Sequence, residues 1–183
     1  MRIISGCRRG HKLLDFEGQD VRPTTDRVKE SIFNIIQQEV PGAEVLDMFA
    51  GSGALSFEAL SRGATHAVLI DADSRSVSLI KKNIAALRFE DRCDVHECSA
   101  VSYASSCGRK FDIIFLDPPY NTGLAQSALE AVAKYRLLSE TGIAVLESDN
   151  TDFRDECEGL HILKQKRYGR TYITIYSAVN NNE

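Results

Sequence analysis

Residues 44–61 read EVLDMFAGSGALSFEALS, from Glu44 to Ser61. The opening six residues are strand-like, and Ala54 to Ser61 suits a helix that Gly63 stops. Gly51 and Gly53 fall at the turn between them. Glycines at a strand-to-helix turn let the backbone approach a ligand closely. In an open parallel sheet that ligand sits at the carboxyl ends of the strands. Asp47 closes the strand beside the turn. This one stretch therefore announces both an α/β fold and the edge at which to look for a site.

Outward from it, strands and helices alternate. His66–Ile70 reads as a strand and Ser74–Leu87 as a helix with Val77, Ile80, Ile84 and Leu87 on one face. Cys93–Glu97 and Phe111–Leu116 read as strands, Gly123–Tyr135 as a helix and Gly142–Glu147 as a fifth strand. Two final runs, Leu160–Tyr168 and Arg170–Ala178, break at Gly169 and predict a closing hairpin. Alternation of this kind predicts a largely parallel sheet covered on both faces, made mixed by the hairpin. Upstream, residues 1–22 read as a small β-hairpin extension around the turn Cys7-Arg8-Arg9-Gly10. A helix then follows Thr24 or Thr25 as cap, with Asp26 in its first turn and Val28, Ile32 and Ile35/Ile36 facing inward. Residues 23–183 would form the main domain.

The glycine turn excludes several cofactors. The dinucleotide pattern G-x-G-x-x-G fails because its last position is Ser56, and no phosphate-binding G-x-x-x-x-G-K-[ST] is present. The hydrolase elbow G-x-S-x-G fails because Ala50 and Ala54 flank Ser52 at the outer positions. Asp71 ends the second strand eighteen residues after Gly53, where an acid accepts hydrogen bonds from ribose hydroxyls. A ribose-bearing group with no pyrophosphate and with a positive sulfonium, S-adenosylmethionine, fits that combination. A tight structural turn is the plainer alternative.

The fourth strand ends in Asp117-Pro118-Pro119-Tyr120. Proline supplies no N–H, fixes its own φ and biases its predecessor toward extended geometry. The Asp117 carboxylate and a backbone carbonyl would thus be fixed acceptors for both hydrogens of an exocyclic amine. Such orientation lowers a barrier by up to roughly 7–11 kcal/mol. Tyr120 offers a face on which a base stacks, worth about 1–3 kcal/mol. A rigid turn with a capping Asp is the alternative.

With 183 residues, 43% of them hydrophobic, the chain is long enough for one domain with a sizeable core. No run of about 18 apolar residues and no secretory signal is apparent, so the expected location is the cytosol. Five irregularly spaced cysteines do not suggest a disulfide framework, and Cys93–Cys98 lacks the second ligand pair of a zinc site, so buried thiols are expected and no metal. The net charge is −4, yet residues 1–12 and 164–170 carry eight Lys and Arg and no acid. Charge sorted so makes either a basic face for nucleic acid or two solvated runs.

The combination of DMFAGSGALSFEALSRGA (47–64), DPPY (117–120) and RPTTDRVKESIFN (22–34) resembles the bacterial 16S ribosomal RNA guanine-N2 methyltransferases, the guanine 966 enzymes. The resemblance runs from Arg2 to Thr171. It implies a Rossmann-like class I methyltransferase with a mostly parallel seven-stranded sheet. Its cofactor, S-adenosylmethionine, would lie against Asp47, Phe49, Ala50, Gly51, Gly53, Asp71, Ala72, Ser99 and Ala100. Asp117, Pro118, Pro119 and Tyr120 would hold the target amine and base. Arg8, Arg9, Arg22, Arg27, Lys166, Arg167, Tyr168 and Arg170 would approach RNA, either 16S RNA itself or a 30S particle, with the protein acting as a monomer. Ser99 stands where the broad pattern often has Asp or Asn for the adenine amine. Rival readings are an amino methyltransferase acting on adenine N6 or a glutamine amide, and a non-catalytic RNA-binding assembly factor.

Overall fold

The computed structural model describes residues 1–16, 26–120, 122–149, 156–157 and 159–179. The expected strands form as β1 (Glu44–Asp47), β2 (His66–Asp71), β3 (Cys93–Glu97), β4 (Phe111–Leu116), β5 (Leu138–Ser148), β7 (Leu160–Tyr168) and β8 (Thr171–Ala178). A two-residue strand, β6 (Glu156–Cys157), adds at one edge, so among the described residues eight strands run in the order β3-β2-β1-β4-β5-β8-β7-β6. β1 to β5 run parallel to one another, and the β5–β8 and β8–β7 pairs are antiparallel. Strand order reverses between β1 and β4, and a crevice opens there beyond the carboxyl ends.

The helices are α1 (Asp26–Ile35), α2 (Ala54–Ser61), α3 (Ser74–Leu87), α4 (Ala100–Ser106) and α5 (Leu124–Lys134). Side chains alternate across the sheet. Val45, Leu69, Ile113 and Phe115 join α1, α2 and α3 in one cluster, while Leu46, Val68, Ile114 and Leu116 join α4 and α5 in the other. The sequence pattern did not announce α4. Seven residues with three serines give no legible period, and the helix starts because Ser99 caps it, its Oγ accepting the Ser102 N–H at 3.2 Å. Strand β5 also begins four residues earlier than its apolar run, with a register shift opposite Phe111 and Ile113. Thr24 and Thr25 lie outside the described residues.

Among the described residues the N-terminal hairpin has one β-bridge, Arg2 with Lys12, and it packs on the rest of the fold. Ile3 and Leu13 enter the same core cluster as Phe33 and Phe57. The buried Glu58 carboxylate accepts the N–H groups of Ile4 (2.8 Å) and Ser5 (3.0 Å), and pairs with Arg62 (2.7 Å) and Lys29 (3.6 Å). At Gly6, φ is +83°, and a Cβ would lie 1.8 Å from the Ser61 carbonyl oxygen, so only glycine lets the chain pass this close to α2.

Candidate active site

A cavity of about 680 Å³ opens at the strand reversal. Its walls come from the turn after β1 (Asp47–Ser52), from Asp71, Ala72 and Asp73 after β2, from Ser99, Ala100 and Val101 before and in α4, and from Asp117–Tyr120 after β4. Every residue expected to hold the cofactor, amine or base therefore lines one cavity, except Gly53. Gly53 acts behind the wall. It caps α2 at φ +82°, its N–H donates to Ala50 O at 2.7 Å, and a Cβ would strike the Phe57 ring at 2.3 Å.

The turn is held by the acid after β2. Asp71 Oδ2 accepts the Gly51 N–H at 2.8 Å, and its Oδ1 accepts the Asp73 N–H at 2.9 Å. Each oxygen keeps a further lone pair for a hydroxyl in the cavity. Asp73 also lines the cavity, but it caps α3, its Oδ1 accepting the Arg75 N–H at 2.9 Å, and it is paired with the Arg75 side chain.

Asp47 is almost wholly buried. Burial pushes its carboxyl up to about 7, and the neighbouring Asp117 and Asp71 add to the rise, while the Ser56 hydroxyl and the Phe49 amide oppose it. Ser56 Oγ donates to Asp47 Oδ2 at 2.9 Å, whereas Oδ1 is buried with no hydrogen-bond partner. An orphaned acceptor at the end of β1 suits a cationic occupant. The lining repeats that preference: among the described residues its charged side chains are Asp15, Asp47, Asp71, Asp73, Asp117 and Glu147 against Arg75, which pairs with Asp73 at 2.7 Å. Phosphates are poorly served by such walls. A phosphate-free, positively charged nucleoside such as S-adenosylmethionine fits them.

Tyr120 is half-buried and its hydroxyl donates to Glu147 Oε1 at 3.1 Å. Burial and the adjacent Glu147 push the phenol up to about 12, so it remains a donor at neutral pH. Ser99 serves as the α4 cap, so its oxygen is already an acceptor for backbone, and its O–H is what it can offer the cavity.

The expected RNA-facing residues divide into separate places. Lys166, Arg167, Tyr168 and Arg170 surround the β7–β8 turn, and Tyr172 pairs with Ser148 at the carboxyl end of β5, which puts this turn at the cavity's edge. There Arg167 folds back, its Nε donating to Gly169 O at 2.8 Å and its guanidinium over Tyr172. Arg8 and Arg9 instead sit at the far ends of α2 and α3. The Cys7 N–H donates to Ser61 O at 2.8 Å, and Arg8 Nε donates to Leu87 O at 2.7 Å with its guanidinium over Phe89. The eight residues of α2 separate that turn from the cavity by about 12 Å. Arg27 is exposed on α1, and Arg22 lies outside the described residues.

Sequence reasoning passed over several residues of the site. Glu147, Asp15 and Phe16 line the cavity. Asn83 reaches both partners of the wall: its Nδ2 donates to Ser52 O and Leu14 O (3.0 Å each), and its Oδ1 accepts the Leu14 N–H at 2.8 Å. An asparagine among the apolar positions of α3 was the available signal. The thiols are less enclosed than expected, Cys7 being exposed and the other four half-buried. Burial nevertheless pushes the Cys93 thiol up to about 12. Among the described residues no helix is long and apolar enough to cross a membrane.

The family model described as "Conserved hypothetical protein 95" matches residues 1–177. "Ribosomal RNA small subunit methyltransferase D" of Haemophilus influenzae is 33% identical over 179 residues, covering 96% of this chain and 93% of the relative. The protein of the same name from Escherichia coli K12 is 38% identical over 149 residues, 81% of this chain and 75% of the relative. Among solved structures, "Putative methyltransferase yhhF from Escherichia coli" superposes with a TM-score of 0.87 at 34% identity, covering 97% of each chain.

Proposed function

We propose, for a chain that belongs to the family described as conserved hypothetical protein 95, that it methylates the exocyclic N2 amine of a guanine in small-subunit ribosomal RNA. The observation that carries this reading is the sharing of one cavity by the glycine turn, the ribose acid Asp71 and Asp117–Tyr120. S-adenosylmethionine, when bound, supplies a methyl carbon on a positive sulfur that leaves as a neutral thioether.

The chain's own residues do the rest. Asp71, Gly51 and the Ala50 region hold the donor's sugar and tail, with Asp47 supplying the negative charge that a cation needs in a buried place. Asp117 and the Pro118 carbonyl accept the two amine hydrogens, which turns the nitrogen lone pair toward the methyl group. Tyr120 stacks on the base once it has left its helix. The methylated amine sheds its extra proton to water, so no side chain need act as base. Residues 1–22 are an extension to the methyltransferase domain of residues 23–183, and the described part of that extension, residues 1–16, packs on the domain through Ile3 and Leu13. Lys166 and Arg170 approach phosphates beside the cavity, and Arg9 and Arg27 reach more distant ones. The protein works as a monomer in the cytosol on RNA or a small-subunit particle.

The test is transfer of labelled methyl to ribosomal RNA, or to small-subunit particles, from cells lacking this protein, with the modified base mapped. Label at guanine N2 is the expected result. Label on adenine or on protein would overturn the assignment.

A further inference from the structure

Guanine and adenine both offer an exocyclic amine with two hydrogens, so Asp117 and Pro118 alone do not separate them. The bases differ at the neighbouring ring nitrogen. Guanine N1, beside the N2 amine, carries a hydrogen, whereas adenine N1, beside its N6 amine, is a bare acceptor. A carboxylate next to the amine clamp would welcome the first and repel the second.

The structure has such a carboxylate. Leu116 pairs with Leu146 in the parallel β4–β5 register, so Asp117 and Glu147 follow at the same level on neighbouring strands. Strands so paired lie about 4.8 Å apart. Both residues line the cavity, and Glu147 is only 7% exposed. The Tyr120 hydroxyl donates to Glu147 Oε1 at 3.1 Å, which ties the acid to the ring on which the base stacks. A carboxylate accepts at about four lone-pair positions, so this bond is compatible with a further donor arriving from the cavity.

We infer that Glu147 determines specificity by accepting the N1–H of the target guanine while Asp117 and the Pro118 carbonyl take the N2 hydrogens. The Tyr120 hydroxyl holds one oxygen of Glu147 at the edge of the stacking ring, beside the base. The inference rests on the guanine reading proposed above and names the side chain that enforces it. An adenine brings its N1 lone pair against the Glu147 carboxylate, acceptor against acceptor, and a site that hydrogen-bonds a substrate N–H rejects the analogue lacking it most strongly.

The test uses the full-length protein and the RNA identified by the mapping experiment, synthesised with guanine or 2-aminopurine at the methylated position. 2-Aminopurine keeps the N2 amine and presents a bare N1. Wild-type protein should prefer guanine in kcat/KM by roughly 10-fold to 100-fold. In Glu147→Gln the side-chain amide can donate to a bare N1, so the preference should narrow by about tenfold or more. A merely structural Glu147 would lower both rates alike and leave their ratio unchanged, and that result overturns the inference while the guanine function stands. Calorimetric binding of S-adenosylmethionine reports whether the variant is folded. Should it not be, the wild-type ratio decides alone, since comparable turnover of the two bases also overturns the inference. Absence of any guanine label in the mapping overturns the function and this inference together.

Discussion

Replacing Asp47 by Asn should stabilise the free protein and weaken its hold on the donor. Asp47 is buried among acids, with one oxygen unpartnered. Its carboxyl stands at about 7 in the fold against an ordinary 3.8. At 1.36 kcal/mol for each tenfold change, that displacement corresponds to about 4 kcal/mol. The sign follows from proton counting. Between pH 4 and 7 the folded protein holds a proton that the unfolded chain has lost, so stability falls as pH rises through this window and levels off above it. Asn keeps the shape and can still accept from Ser56, but has no charge to bury. Wild type and Asp47→Asn should therefore melt alike near pH 4. By pH 8 the variant should be ahead by at most about 4 kcal/mol, which for a chain of this length is roughly 8–16 °C. Circular dichroism melts of the ligand-free proteins at a series of pH values measure this directly. S-adenosylmethionine affinity, measured by calorimetry, should move the opposite way and be lower in the variant at pH 8. In wild type it should rise with pH toward 7, because a bound cation favours the ionised acid. A constant melting difference across pH, or a variant less stable at pH 8, would refute the account of Asp47 as a strained acceptor waiting for a cation.

Asp117→Ala should lose turnover by two orders of magnitude or more while keeping most of its donor affinity, because only the amine clamp is removed (about 3 kcal/mol of orientation); single-turnover kinetics beside calorimetry separate the two. Gly53→Ala should destabilise by roughly 2–4 kcal/mol in urea unfolding, since the residue sits at φ +82° and its Cβ must displace the buried Phe57 ring. A midpoint equal to wild type would show that the ring yields freely. Lys166→Ala and Arg170→Ala should each reduce the slope of log affinity against log salt for RNA by about 0.7 to 0.9. Arg8→Ala should change that slope less than they do, because its guanidinium is engaged with Leu87 and Phe89.

Period and punctuation made most of the fold readable. Apolar strands ending in acids or glycines, and helices with a buried stripe, marked β1 to β5, α2, α3 and α5 within a few residues of where they lie. The candidate site was readable as a place because parallel topology gathers the carboxyl ends of β1, β2 and β4 into one crevice, so three short motifs far apart in sequence had to meet. What escaped depends on tertiary placement. Nothing local distinguishes Glu147 from any acid that ends a strand, and only the fold sets its carboxylate against the hydroxyl of Tyr120, twenty-seven residues earlier. Helix α4 is too short to show a face. The basic runs were equally clear in sequence, yet only the fold sends one to the cavity's edge and the other to the far ends of α2 and α3.

The N-terminal segment shows why buried polar groups persist in this core. Its apolar anchors, Ile3 and Leu13, supply burial but no direction, and a single β-bridge cannot fix sixteen residues. Direction comes from polar anchors placed along it. Glu58 takes the N–H groups of Ile4 and Ser5, Ser61 binds Cys7 and Arg8, and Asn83 takes both backbone groups of Leu14. Glu58 in turn needs Lys29 and Arg62, and burial pulls the Lys29 ammonium down from its usual range against the pull of Glu58. A well-packed apolar set of the same volume would cost less desolvation. It would not specify which backbone atoms meet, and Asp15 and Phe16 would then reach the cavity only by chance. Because Asn83 also holds the Ser52 carbonyl, the segment and the glycine turn are fixed to one side chain. Whatever fills the cavity is therefore bounded by a turn and a wall that share an anchor, so displacing either one strains the other.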